Sequence, residues 1–231
     1  MKPTTAMLLA TAMLSGGLAG MTHAAELTQR NWAAHGVTHW ELSLPAEFVL
    51  KQARDSQIRI TAEPKVLQAI AVRIQGNRAE INTSGSFSTQ KKLLVEISAP
   101  DFQRIGLHDS GSLQLASLRG QRLQFAATDS ASAVLNRLHL GQLQIELADS
   151  ASVDANGQAG DQLVKVEDSA SYRAASLQSA TAKATVSGSG DARLAVTKTL
   201  NANVSDAGTL KYRGNPGIRQ QVDDAGTLEQ E

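Results

Sequence analysis

Cysteine is absent from the 231 residues. That excludes disulfides, thiolate metal sites and the cysteine a lipoprotein signal needs. Aromatic residues make up only 3%, and Trp32 and Trp40 are the only tryptophans, so a sugar cleft walled by aromatic platforms is not expected. Neither sign of charge is in excess: 22 Lys and Arg balance 22 Asp and Glu. Nucleic acid and anionic membrane surfaces both require clustered cations, so neither is an expected partner. No stretch sustains a 3.6-residue apolar period, which argues against long helices. Beyond the N-terminus no second long apolar run occurs, so no transmembrane span is expected in the mature chain.

The first residues read as a signal peptide over 1–24. Lys2 is the short positive region and Ala6 to Met21 is mostly apolar. Thr22 and Ala24 place small residues at the cleavage positions, so cleavage is expected after Ala24. A membrane anchor is the alternative, but Ser15, Gly16 and Gly17 break the stretch and leave it short for a stable span. The mature chain is therefore expected to be exported, to a bacterial periplasm or the cell surface. Absence of cysteine suits that setting better than a small disulfide scaffold.

What the sequence does contain is a repeat. Asp109-Ser110-Gly111-Ser112 returns as Asp129-Ser130-Ala131-Ser132, Asp149-Ser150-Ala151-Ser152 and Asp168-Ser169-Ala170-Ser171. Gly188-Ser189-Gly190-Asp191 is a weaker copy. Asp206-Ala207-Gly208-Thr209 and Asp224-Ala225-Gly226-Thr227 complete seven, spaced eighteen to twenty residues apart. The third residue of each copy is Gly or Ala, as a tight inward corner requires. Apolar positions then follow at a period of two, beginning Leu113, Ala133, Val153, Tyr172, Ala192, Leu210 and Leu228, so each copy opens a half-buried strand. A second strand follows in each coil: Leu123 and Phe125, then Leu143 and Ile145, then Leu163 with a one-residue slip to Val166. Short strands joined by bends, about twenty residues per turn, describe a parallel β-helix whose coils stack about 4.8 Å apart. A β-sandwich of regular hairpins is the alternative, and it leaves the recurring residue types unexplained.

The region 37–107 is β-like but irregular. Its apolar pairs, such as Phe48 with Leu50 and Val95 with Ile97, suit first coils and a cap over the open end of the stack. Further on, Pro216 interrupts the strand pattern, and 218–231 are expected to form a final coil with a polar tail, Glu229-Gln230-Glu231, that blunts the last edge.

These features together resemble the head GIN domain family of auto-transporter adhesins. The resemblance rests on the segment Val95-Glu96-Ile97-Ser98-Ala99-Pro100, the first coil from Ile105 to Ser112, Gly188-Ser189-Gly190-Asp191, and Leu210-Lys211-Tyr212-Arg213-Gly214-Asn215-Pro216. It covers 37–217, with 25–36 as a leading segment and regular coils over 108–217. It implies an all-β, single-stranded right-handed parallel β-helix (solenoid) with an irregular N-terminal β-hairpin cap, in an exported protein with an adhesin-like role. One departure stands out. The family writes its corner as Gly-Ser-Gly, whereas most corners here read Asp-Ser-Ala.

That departure creates a row of carboxylates: Asp109, Asp129, Asp149, Asp168, Asp206 and Asp224. Stacked one coil apart, neighbours would repel by roughly 1 kcal/mol in water. Two reliefs are open. Each Asp could accept from the backbone N–H two residues on, in a solvated Asx-turn, or a divalent cation could sit between coils. Beside this row, Ser112, Ser132, Ser152, Ser171, Thr209 and Thr227 are expected to point outward as a hydroxyl face able to contact a glycan. The histidines His35, His39, His108 and His139 are scattered, and adjacent strand residues such as His108 and Asp109 cannot form a triad. No cofactor, metal centre or catalytic residue is indicated. Polysaccharide lyases and hydrolases on such folds need long loops to wall a cleft, and every coil here is near its minimum length. The sequence therefore points to a non-catalytic adhesin or cell-envelope interaction module, with an envelope protein or glycan as partner and homo-oligomerisation through flat sides left open. A cation- or glycan-binding ladder is the alternative.

Overall fold

A computed structural model describes residues 27–231 except 86, 88 and 90. The signal-peptide expectation lies outside the described residues. The chain forms a β-solenoid of about six turns. Strands β1 (Thr28–Ala33), β2 (His39–Ser43), β3 (Glu47–Gln52) and β4 (Gln57–Ala62) precede a short helix α1 (Pro64–Ala69). Then come β5 (Ile70–Gln75), β6 (Arg78–Thr83), β7 (Leu94–Ala99), β8 (Arg104–His108) and β9 (Ser112–Leu115). The regular coils are built from β10 (Leu118–Ala127), β11 (Ser132–Leu147), β12 (Ser152–Val166), β13 (Ser171–Val186) and β14 (Asp191–Val204). β15 (Thr209–Arg213), β16 (Gly217–Val222) and β17 (Thr227–Gln230) complete the stack.

Chain order is not stack order at the N-terminal end. β2 lies parallel between β6 and β8, and β3 lies parallel between β7 and β9. The coil made of β2 and β3 is thus inside the stack, and β6 and β7 lie beneath it. Antiparallel strands finish that end: β5 pairs with β6, and β4 pairs with both β7 and β1. Helix α1 begins at Pro64, whose fixed φ and missing N–H suit a first turn, and it buries Val66 and Leu67. The cap expected over this end is therefore hairpins and strands plus one helical turn and a half that the periodicity did not announce.

From β10 onward all pairings are parallel. One inward column runs Val95, Phe48, Leu113, Ala133, Val153, Tyr172, Ala192, Leu210, Leu228. A second runs Ile81, Leu42, Leu107, Ala127, Leu147, Val166, Val186, Val204, Val222. Nearly all of these side chains are buried, and a fully buried Leu or Val contributes about 1.5–3 kcal/mol. Pro216 sits in the bend before β16, and Glu229 and Gln230 belong to β17 itself rather than to a free tail.

The expected slip from Leu163 to Val166 is corrected. The second half of β12 keeps a period of two, with Gln162, Val164 and Val166 in register with Leu143, Ile145 and Leu147. Leu163 faces outward and is half-buried. The coil from Asp149 is one residue shorter than its predecessor, and the shortening is absorbed at the bend between Leu135 and Leu138. Gly157 takes that bend at φ 122°, where a Cβ would strike the Leu138 backbone.

Gln162 thus occupies a core column. Its polar atoms are satisfied inside the tube: the Tyr172 hydroxyl donates to Oε1 at 3.0 Å and Nε2 donates to Ser179 Oγ at 2.9 Å. Ser179 Oγ in turn donates to the Ala195 carbonyl at 3.0 Å. Tyr172 fills space between smaller neighbours, Val153 and Ala192, and its hydroxyl needs a partner there. Burial pushes that hydroxyl well above its ordinary value of 10.0.

Tyr172→Phe is expected to cost about 1–3 kcal/mol in urea unfolding, because Gln162 then loses its donor. Adding Gln162→Leu and Ser179→Ala should recover much of that loss. The hydroxyl keeps its proton in the fold and releases it near pH 10 when unfolded, so stability falls as pH rises above 10. The fall should be shallower in Tyr172→Phe.

Candidate functional site

The seven corners share one turn. The amide of the small residue donates to the carbonyl three residues back, as in Ala131 N to Thr128 O at 3.2 Å and Ala151 N to Ala148 O at 3.2 Å. The first central residue has positive φ: 62° at Asp109, 61° at Asp129, 59° at Asp149, 58° at Asp168, 56° at Asp206 and 55° at Asp224. Asp tolerates this region better than most side chains, because a short polar group finds a local partner. The small third residue points inward, where Ala131, Ala151 and Ala170 are buried.

The Asx-turn expectation is corrected by the hydrogen bonds. The carboxylates of Asp129, Asp149, Asp168 and Asp206 accept from the corner amide of the preceding coil. Asp109 N–H donates to Asp129 Oδ2 at 3.3 Å, Asp129 N–H to Asp149 Oδ2 at 3.1 Å, and Asp149 N–H to Asp168 Oδ2 at 3.3 Å. Gly188 N–H donates to Asp206 Oδ2 at 3.1 Å. Such bonds to an ionised acceptor contribute about 1.5–3 kcal/mol, which offsets the ~1 kcal/mol repulsion between neighbours. The relief is a ladder between coils. Among the described residues, no three His, Asp or Glu side chains converge as metal ligands.

Gly188 breaks the row for a physical reason. It has φ 67° and so suits the corner, but a Cβ there would lie 2.9 Å from the Asp168 backbone. The two coils approach more closely at this corner than an Asp allows.

The hydroxyl column is in register: Ser112, Ser132, Ser152, Ser171, then Asp191, Thr209 and Thr227. It faces outward, exposed or half-buried along its length. It is not a uniform array. Arg173 forks onto Asp154 at 2.6 and 3.0 Å and donates to Ser152 Oγ at 2.8 Å and Ser171 Oγ at 3.1 Å. Hydrogen bonding to Asp154 holds the guanidinium above its ordinary pKa. Lys211 and Glu229 pair at 2.8 Å, which raises the ammonium and lowers the carboxyl. The face therefore has a neutral zone at Ser112, Ser132, Gln114 and Val134, and a charge-laced zone beyond Asp154. The histidines stay apart: His39 meets Thr38 and Asn77, His108 meets Thr128 and Glu41, and His139 stacks between Arg119 and Gln158.

The model of the family described as "Putative auto-transporter adhesin, head GIN domain" matches residues 39–216. The chain belongs to this family. Solved structures carry the same fold at low identity. A putative adhesin from Bacteroides fragilis superposes with TM-score 0.83 at 18% identity, covering 89% of this chain and 97% of that one. A putative lipid binding protein from Parabacteroides distasonis gives 0.70 at 14% identity, covering 90% and 98%. A putative adhesin from Parabacteroides merdae gives 0.65 at 17%, covering 90% and 97%. No curated protein matches. Within this head GIN domain, the carboxylates of Asp129, Asp149, Asp168 and Asp206 serve the stack.

Restoring the repeat should therefore damage the protein: Gly188→Asp is expected to lower thermal stability, although it completes the Asp row. Asp129→Gly should lose the ladder bond and the acceptor of the Thr128 hydroxyl, roughly 1–3 kcal/mol, and Asp129→Val should lose more, since a β-branched side chain is strained at positive φ. Melting temperatures of the three variants check the order.

Proposed function

We propose that this head GIN domain is a non-catalytic, exported contact module that engages an envelope protein or a glycan through the outer faces of its solenoid. The observation that carries this reading is the continuous, in-register stack: strands in the regular coils are joined by four-residue corners such as 148–151 and 167–170, and among the described residues of these coils no loop rises over a face. Such a surface is flat and extended, the usual binding surface of repeat proteins. It lacks the walls that a polysaccharide-cleaving cleft requires. Family membership supports adhesion as the kind of contact made. Among the described residues no helix is long and apolar enough to cross a membrane.

The cation reading loses support because the corner carboxylates already accept from backbone amides. A ligand of the native state must raise its stability, so millimolar calcium should leave the melting temperature unchanged. A rise of several degrees, abolished by Asp149→Asn, would restore that reading. The contact reading is tested by binding of the purified chain to isolated bacterial envelopes and to immobilised glycans. Saturable binding, weakened at least tenfold by Ser132→Lys with Val134→Glu, is expected. Binding to neither surface, or release of reducing ends from a polysaccharide panel, would overturn it.

A further inference from the structure

Two walls of the tube are sheets that begin and end on a strand paired on one side only. One runs β5, β6, β2, β8, β10, β11, β12, β13, β14, β16. The other runs β1, β4, β7, β3, β9, β11, β12, β13, β14, β15, β17. Among the described residues, nothing pairs with the outer edges of β5, β16, β1 or β17. Each edge presents a row of backbone N–H and C=O groups, and such a row is a template for another strand.

The usual protections of an edge are thin here. β16 is exposed along its whole length and carries one charge, Arg219, while Pro216 lies in the bend before it. At the opposite end α1 lies against β1, β4 and β5 and buries Val66 and Leu67, but Arg73, Ile74 and Gln75 of β5 stay exposed. Apolar side chains gather at the same two places. Five large ones are exposed among the described residues: Leu27 and Ile74 lie at one end, Ile218 and Val222 at the other, and only Val134 lies between. These are the loose ends of core columns. Val72 continues the column that finishes at Val222, and Ile74 continues the one that passes through Ala79, Trp40 and Ile105 and finishes at Gln220.

Charge decides which surface completes those columns. Asp223 and Asp224, in the last corner, form no ion pair, and neither do Lys65 of α1 and Arg73 of β5. Two copies meeting through their β16 ends would bring four carboxylates together, which repel. The other end offers the opposite sign, since α1 and β5 carry Lys65 and Arg73 and no carboxylate. β16 runs parallel to the coils and β5 runs against β6, so the two edges meet antiparallel. With Val222 set opposite Val72 of the next copy, Gln220 falls opposite Ile74, Gln221 opposite Arg73 and Arg219 opposite Gln75. Inward residues then meet inward residues, as a continuous core requires. The same register carries the Asp223-Asp224 corner past Ala71 toward α1 and Lys65. We propose that this chain stacks end to end with a second copy of itself, β16 of one pairing with β5 of the next while β17 comes over β1. The contact is head to tail and leaves one edge free at each end, so copies add into an open chain.

Sedimentation velocity of the purified chain over a wide range of concentration tests this. The average mass should rise with concentration past that of a dimer, and negative-stain images should show rods several tubes long. Gln220→Pro removes an N–H on the free side of β16: Asp223 N–H donates inward to Val204 O at 2.9 Å, and these directions alternate along a strand. Ile74→Lys puts a charge on the outer edge of β5. Each variant alone should associate at least tenfold more weakly. An equimolar mixture of the two should form 1:1 dimers that grow no further, because each retains one intact edge. Val222→Lys takes the place of Gln220→Pro if the proline variant does not fold. Ser132→Lys with Val134→Glu, on the outer face, should leave the association unchanged, which separates this contact from the surface proposed above. A monomer at every concentration, association that survives the β16 variants, a dimer of Ile74→Lys alone as strong as that of the unaltered chain, or a mixture that stays monomeric would overturn the proposal.

Discussion

The structure depends on the backbone hydrogen bonds that run from one coil to the next. No coil has a core of its own; each strand inside the stack is paired on both sides, and the apolar columns exist only when registers agree. A slip of one residue in any strand would turn its inward set outward. The corners are where that register is pinned. There the backbone holds a positive φ, the small third residue seats inward, and the amide donates to a carboxylate on the next coil. A side chain that repels its neighbours in isolation becomes part of the ladder once an amide lies beneath each one.

That economy explains which parts of the molecule were legible in the sequence. The corner imposes a conformation that few residue types satisfy, so its columns repeat visibly as Asp or Gly, then Ser or Ala, then Gly or Ala. Inward positions of β11 through β15 were legible for a similar reason, since strand alternation follows from the corner. The reading failed where it counted straight through a bend. The one-residue shortening falls at the bulge between Leu135 and Leu138, before the second half of the coil, so β12 alternates from Gln162 to Val166 and the polar Gln162 takes the place that a slipped Leu163 was expected to lead into. A buried glutamine is legible only with its partners, and Tyr172 and Ser179 lie ten and seventeen residues away. The N-terminal order was hidden for a related reason: β2 sits between strands that follow it by about 40 and 65 residues, and nothing local records such pairing.

The candidate site shows the same division. Alignment of Asp109, Asp129, Asp149 and Asp168 was readable, and so was the outward column beside them. What relieves the carboxylates was not, because a local Asx-turn and an amide from the preceding coil need the same residue type. Arg173 also escaped notice, since its hold on Ser152 and Ser171 depends on Asp154 standing one coil away. The corner row is therefore a structural device first, and its exposure alone does not make it a ligand site.

A solenoid with minimal coils has little room for the loops from which other β-helices build clefts. Specificity must then come from side chains on a nearly invariant backbone, and a column can vary by addition or by subtraction. Arg173 and Asp154 add charge to a face that is otherwise hydroxyl and amide. Gly106 subtracts, and the Glu41 carboxylate takes the space it leaves without disturbing a single ladder bond. Because both changes leave the register untouched, the stack can be altered face by face while the corners remain the same. The repeat carries the stability, and the positions that depart from it carry whatever identity the surface has.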